Sequence, residues 1–210
     1  MPTPRFGHAA VAIDDKIYVI GGATDWPVSE LYTSMEVYDP DKDAWETISN
    51  YSGSEFTGRW ALSACAINGK IYAIGGIQAD YYPEYGDFYK ALGVVQVYDP
   101  DSNTWTQKSP MPTPRFGLGV VSVNNRIYAI GGLAGLGSTQ GGDEYLYDVV
   151  EEYNPETDTW MTKTPMPKGL VNLDACVVGH RIYVSGGEDL NKTASSNTYS
   201  YSPDSDPITQ

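Results

Sequence analysis

The run Lys16-Ile17-Tyr18-Val19-Ile20-Gly21-Gly22 is written four times in this chain. It returns as Lys70–Gly76, Arg126–Gly132 and Arg181–Gly187, always with Ile-Tyr in its middle and a glycine pair at its end. The first glycines fall at 21, 75, 131 and 186, giving steps of 54, 56 and 55 residues. A self-similar period of that size is the mark of stacked supersecondary units, each too small to bury its own faces.

Within one period the residues predict four antiparallel strands. A stiff segment comes first, Met1-Pro2-Thr3-Pro4-Arg5-Phe6-Gly7, repeated as the identical heptapeptide Met111–Gly117. Its prolines remove backbone donors, so it reads as a connection entering a strand. A small-residue strand follows, then a turn at Asp14-Asp15, Asn68-Gly69, Asn124-Asn125 or Gly179-His180. Such dipeptides between apolar runs signal a tight hairpin. The Ile-Tyr run is the second strand, and its glycine pair suits a place where another backbone approaches too closely for any side chain. A third strand ends at Tyr38-Asp39-Pro40, Tyr98-Asp99-Pro100 or Tyr153-Asn154-Pro155, and a tryptophan stands seven residues after each tyrosine: Trp45, Trp105 and Trp160. Asx-Pro starts the turn, and the tryptophan opens the fourth strand.

The glycine pair, the tyrosine before the turn and the tryptophan after it resemble the kelch motif, over essentially the whole chain. The resemblance implies an all-β, kelch-type β-propeller with four blades of four-stranded antiparallel sheet, first strands nearest the channel. The expected blades are residues 1–49, 50–109, 110–164 and 165–210. The last departs from the pattern: Ile208 stands where tryptophan belongs, so blade four is expected to lack its outer strand. The expectation is roughly fifteen strands in all. Kelch relatives usually carry more blades, so the four are read as a closed small propeller, a fragment of a larger one, or half of a symmetric dimer.

Net charge is −14, which repels phosphate backbones and anionic lipid, so neither nucleic acid nor a membrane is an expected partner. The N-terminus has no apolar h-region and no run is long enough to span a bilayer, so a cytoplasmic home is the expectation if the chain is full length. Both cysteines, Cys65 and Cys176, lie at one repeat position where the other repeats have Val11 and Val121. They are expected to be buried, free and inert.

Candidate chemistry is sparse. Asp39-x-Asp41-x-Asp43 imitates the start of a calcium loop but lies inside the Tyr-to-Trp turn, where a structural role is expected. His8 is expected to be buried and hydrogen-bonded, and His180 to be a solvated turn residue. No zinc spacing, nucleophile elbow or dinucleotide fingerprint appears, so neither metal nor cofactor is expected. Asn50-Tyr51-Ser52 and Asn191-Lys192-Thr193 match the glycosylation pattern and are read as chance matches.

The tyrosines say more. Tyr81, Tyr82, Tyr85 and Tyr89 crowd into one loop, residues 77–93, with Glu84 and Asp87 among them. The equivalent loops carry Asp25 and Trp26, and Asp143 and Tyr145. Variable loops on a regular scaffold are where binding is usually placed. The competing reading is a plug folded over its own blade. Arg5, Arg59 and Arg115 share one repeat position near the same mouth, either clamping an acidic ligand or, as the repeat-wide placement favours, pairing within the blades.

The expected function is a non-enzymatic scaffold that recognises a protein, peptide or carbohydrate through this loop-rich face. The rivals are a sugar-directed enzyme, like the kelch-type sialic acid mutarotases, working through carboxylates such as Glu84 or Asp143, and a homodimer completing a larger propeller.

Overall fold

The computed structural model describes residues 1–25, 28–82, 86–135 and 145–203; of 79–82 and 86–88 only the backbone course is described. Four hairpins set the architecture: β1 (Ala9–Ile13) with β2 (Lys16–Ile20), β6 (Ser63–Ile67) with β7 (Lys70–Ile74), β12 (Gly119–Val123) with β13 (Arg126–Ile130), and β18 (Val171–Val178) with β19 (Arg181–Glu188). In the first three both turn residues have positive φ, from 49° at Asp14 to 72° at Gly69, the geometry that matches the twist of the flanking strands. In the fourth only Gly179 does, at 62°.

Each hairpin gains a third strand: β3 (Met35–Asp39), β10 (Val95–Asp99), β16 (Val150–Asn154) and β20 (Thr198–Tyr201). The outer strands are β4 (Ala44–Ile48), β11 (Thr104–Lys108) and β17 (Thr159–Lys163). The tyrosine and tryptophan of the motif face each other across these two strands, with ring centres 5.1, 5.2 and 5.0 Å apart. Each tyrosine hydroxyl then donates to the turn: Tyr38 to Asp43 at 2.7 Å, Tyr98 to Asn103 at 2.9 Å and Tyr153 to Asp158 at 2.6 Å. All three acceptors have φ near +50°, where Asn and Asp are the cheapest residues after glycine. The fourth sheet has the order β18-β19-β20; Ile208 lies outside the described residues.

Five further strands decorate this frame. β5 (Ser52–Gly53) adds to the edge of β11, and two loop hairpins pair β8 (Ile77–Tyr82) with β9 (Gly86–Ala91) and β14 (Leu133–Ala134) with β15 (Tyr145–Leu146). The first of these pairs occupies the tyrosine-rich loop.

The four sheets stack in order as propeller blades, with β1 against β6, β6 against β12 and β12 against β18. Three cores fill the junctions. Tyr18 and Ile20 meet Ile71 and Tyr98 in the first, Tyr72 and Ile74 meet Ile127 and Tyr153 in the second, and Tyr128 and Ile130 meet Ile182 and Tyr201 in the third. Fully burying each such isoleucine is worth about 1.5–3 kcal/mol, so the junctions hold most of the chain's apolar driving force.

The glycine pairs are the seats of these junctions. A Cβ added to Gly21 would lie 2.6 Å from the carbonyl oxygen of Arg59 in the next blade, and one on Gly75 would lie 2.6 Å from that of Arg115. The same carbonyls accept the amides of Gly22 at 2.9 Å and Gly76 at 3.1 Å; Leu170 serves Gly132 at 2.8 Å. At blade four the seat is bare: among the described residues nothing comes within 4 Å of a Cβ built on Gly186.

That difference corrects the expectation for the cysteines. Cys65 is buried, and its burial pushes the thiol up to about 12, but Cys176 at the same repeat position is exposed. Position in the repeat fixes which way the side chain points. Cover comes from the following blade, and none of the described residues supplies it beyond blade four.

Candidate functional site

The segments entering each blade meet at one end of the stack. Gly7, Ala61, Gly117 and Asn172 all have φ between 51° and 62° there. Their backbones form a belt from blade to blade: Ala61 N–H donates to Gly7 at 2.7 Å, Gly117 to Ala61 at 2.9 Å and Asn172 to Gly117 at 2.8 Å. The small residues at this position are thus required by the left-handed backbone, which glycine adopts most easily. Below the belt a cavity of about 380 Å³ runs between the first strands, lined by His8, Ser63, Leu118 and Asp174 among others.

His8 differs from the expectation. It is half-buried on the channel wall, and its Nδ1 has no hydrogen-bond partner among the described residues. His180 is exposed, within 3.1 Å of Asn124 in the neighbouring turn.

The residue before each belt position is large: Phe6, Trp60, Phe116 and Val171. Phe6 and Trp60 pack edge to face at 5.5 Å, and Trp60 and Phe116 lie 6.4 Å apart. Between blades two and four this row floors a groove of about 260 Å³. Leu133 and Leu146 of the β14–β15 hairpin form one wall, and Glu188, Asp189, Leu190 and Lys192 the other. The second wall is itself built. Asp189 accepts the amides of Asn191 and Thr193 and pairs with Lys168 at 3.1 Å, which holds its carboxyl below the usual range. Asn172 donates to Glu188 at 3.0 Å, and Leu190 stands half-exposed at the lip.

The three arginines are not in this groove. Arg59 and Arg115 are fully buried and Arg5 nearly so. Arg59 donates to the carbonyls of Thr57, Ala73 and Gly75 and to Gln96; Arg115 reaches Thr113, Ala129 and Glu151; Arg5 reaches Gly21, Ser34 and the carboxylate of Glu36. Each pins its entering segment to the second and third strands of its own blade. A ligand clamp would need solvent-facing guanidinium groups, and none of the three presents one.

The remaining candidates lie apart. Asp25 caps its own loop, accepting Ser29 and Thr24 hydroxyls at 2.6 Å, which lowers its carboxyl. Tyr145 is exposed and packs on Tyr147 at 5.0 Å, beside the groove wall. Trp26, Glu84, Tyr85 and Asp143 lie outside the described residues, and Tyr81, Tyr82 and Asp87 are placed only by their backbone in β8 and β9. At the base of that hairpin Tyr89 packs on Trp60 at 6.3 Å, so the loop springs from the groove's floor. Among the described residues, no three His, Cys, Asp or Glu side chains gather to hold a metal ion. The acidic turn is structural, with Asp39 tied to Lys42 and Asp43 to Tyr38.

Residues 1–132 match a family model described as the KLHDC2/KLHL20/DRC7 Kelch-repeats domain, and residues 114–167 match the Kelch motif. The chain belongs to the kelch-repeat family. Among curated relatives it is 31% identical over 192 residues to human Kelch repeat and BTB domain-containing protein 12, covering 86% of this chain and 29% of that protein. It is 29% identical over 205 residues to mouse Kelch-like protein 23, covering 97% of this chain and 32% of that protein. Rat Kelch-like protein 7 is 35% identical over 227 residues, with coverages of 87% and 36%. The kelch chain thus spans about a third of the length of these relatives. The solved structure titled "Structure of YjhT" superposes with a TM-score of 0.75 at 18% identity, covering 96% of this chain and 64% of that one, a likeness of fold.

Proposed function

We propose that this kelch chain is a binding scaffold whose loop face holds a segment of a partner protein in the groove between blades two and four. The observation that carries the reading is an apolar floor of Trp60, Phe116 and Val171 set between an apolar wall, Leu133 and Leu146, and a largely polar one, Glu188 to Lys192. A concave apolar slot with a polar rim suits one or two apolar side chains of an extended peptide. A sugar ring would call for several convergent hydrogen-bonding groups, and the groove floor offers chiefly aromatic and aliphatic surface. The kelch-named relatives, which include a BTB-containing protein, keep a protein partner ahead of a small-molecule one.

The test is selection of binders from a displayed random-peptide library on the purified chain, then competition with variants. Leu190→Asp and Leu146→Asp alter the two walls at side chains with solvent access, so folding is preserved. Loss of peptide capture in both supports the groove. Peptides that bind both variants unchanged, but lose binding when Tyr82 and Tyr85 are replaced by alanine, would move the site to the tyrosine loop.

A second reading is association between copies of the chain into a larger propeller. It is favoured by the bare glycine seat of blade four and by the uncovered opposite face of blade one.

A further inference from the structure

The three internal junctions share one set of contacts, and the two outer faces of the stack each carry one half of it. At every junction a tyrosine of the second strand meets a tyrosine of the next blade's third strand: Tyr18 with Tyr98 at 6.3 Å, Tyr72 with Tyr153 at 6.1 Å, Tyr128 with Tyr201 at 5.7 Å. Tyr183 of blade four and Tyr38 of blade one are the two left over. The isoleucine that each blade turns towards its predecessor is fully buried in Ile71, Ile127 and Ile182, but Ile17 is 39% exposed. On the other face Ile67 and Val123 are buried, whereas Val178 in their place is 65% exposed and Cys176 beside it is open.

The polar groups divide the same way. In the belt each amide donates to the blade before it, so blade four ends on the Asn172 carbonyl and blade one begins on the Gly7 amide. Among the described residues no bond joins those two groups. The carbonyl that seats on a glycine pair always comes from the following blade, so the Arg5 carbonyl and the Gly186–Gly187 seat are the unmatched pair.

We infer that a second copy of this chain docks head to tail, its blade one on the first copy's blade four. This rests on the self-association reading above and adds its polarity and its residues. The new junction sets the second copy's Ile17, Tyr38 and Arg5 carbonyl against Val178, Tyr183 and Gly186, repeating the chemistry of the three internal ones. A second copy is chosen as occupant because, among the described residues, its blade-one face supplies every missing half. The two surfaces are different, so the contact is heterologous: it closes into a ring where the rotation allows and otherwise grows.

Sedimentation of the 210-residue chain over a range of concentrations tests this, with Ile17→Lys and Val178→Lys as variants at exposed side chains. Wild type should associate, and each variant alone should sediment as a single copy, its association at least about tenfold weaker. An equimolar mixture should recover a species of two copies and no larger one, because one intact face remains on each variant. A wild type that stays a single copy at every concentration overturns both this inference and the self-association reading. A wild type that associates, with variants that associate equally well, or with only one of them affected, overturns the head-to-tail junction and leaves self-association standing.

Discussion

Arg59 Nη1 donates to Gln96 Oε1 across 2.6 Å, while the arginines at the same repeat position in blades one and three face carboxylates, Glu36 and Glu151. Among the described residues, blade two therefore buries a guanidinium with no counter-ion. Its neutral acceptors and the face of Phe56, 4.5 Å away, are its only compensation among the described contacts. Burial accordingly depresses Arg59 from 12.5 to about 9.

Replacing Gln96 by glutamate should stabilise the chain. The change turns a neutral contact into a charge-assisted one, at the loss of the Gln96 Nε2 bond to the Glu55 carbonyl. We expect a net gain of about 1 kcal/mol, read as a rise in Tm of about 2–4 °C. The sign with pH follows from the depressed pKa. Below pH 9 folded and unfolded chains both hold the proton, and the full cost of burying the charge is present. Between about 9 and 12.5 the unfolded chain binds more protons, so Arg59 costs the fold less as pH rises. The gain from Gln96→Glu should be largest below pH 9 and shrink above it.

Removing a carboxylate that is present should do the opposite. Glu151 lies 2.5 Å from Arg115, and both are buried. Glu151→Ala leaves that charge unpaired and should cost about 3–5 kcal/mol in urea unfolding at neutral pH. A cost below about 1 kcal/mol would mean that the carbonyls of Thr113 and Ala129 suffice to hold Arg115.

The blades themselves were legible in the sequence because everything inside a blade recurs. Tyr38 and Trp45, the Asp14-Asp15 turn and the Gly21-Gly22 pair each have aligned copies, and a feature written three or four times is read with little ambiguity. The groove was not legible in the same way. Trp60 and Phe116 show as a large residue after each repeat arginine, a signal visible in the sequence. Leu133, Leu146 and Leu190 come from loops of unequal length and share no repeat position, so only folding brings them together. The arginines illustrate a third case. Their chemistry also suits a ligand clamp; the repeat-wide placement favours pairing within the blades, and which partners bury them, Glu36, Gln96 and Glu151, depends on third strands some thirty to forty residues away.

Thiol chemistry should separate two cysteines that the sequence makes equivalent. Cys65 is covered by blade three, with its thiol pushed up to about 12, whereas Cys176 is exposed. At pH 8 a disulfide reagent should react quickly with one thiol per native chain and with two after denaturation. Replacing Cys176 by serine should remove the fast phase and leave the denatured reading at one. Two fast thiols in the native chain would mean that the second junction opens readily.

The glycine seats allow a direct measure of what one junction contributes. Gly75 and Gly186 occupy the same repeat position with φ of +66° and +74°, so alanine at either takes on the same left-handed strain, about 1–2 kcal/mol. Their surroundings differ. A Cβ on Gly75 would stand 2.6 Å from the Arg115 carbonyl, a backbone atom held by the Gly76 amide, whereas one on Gly186 meets nothing within 4 Å among the described residues. Gly186→Ala should therefore cost only the strain, and Gly75→Ala the strain plus displacement of blade three from its seat. We expect the second variant to lose at least about 2 kcal/mol more than the first in urea unfolding followed by circular dichroism. Equal losses would show that the blades slide past one another at little cost, and that the paired glycines serve the strand's own backbone and not the junction.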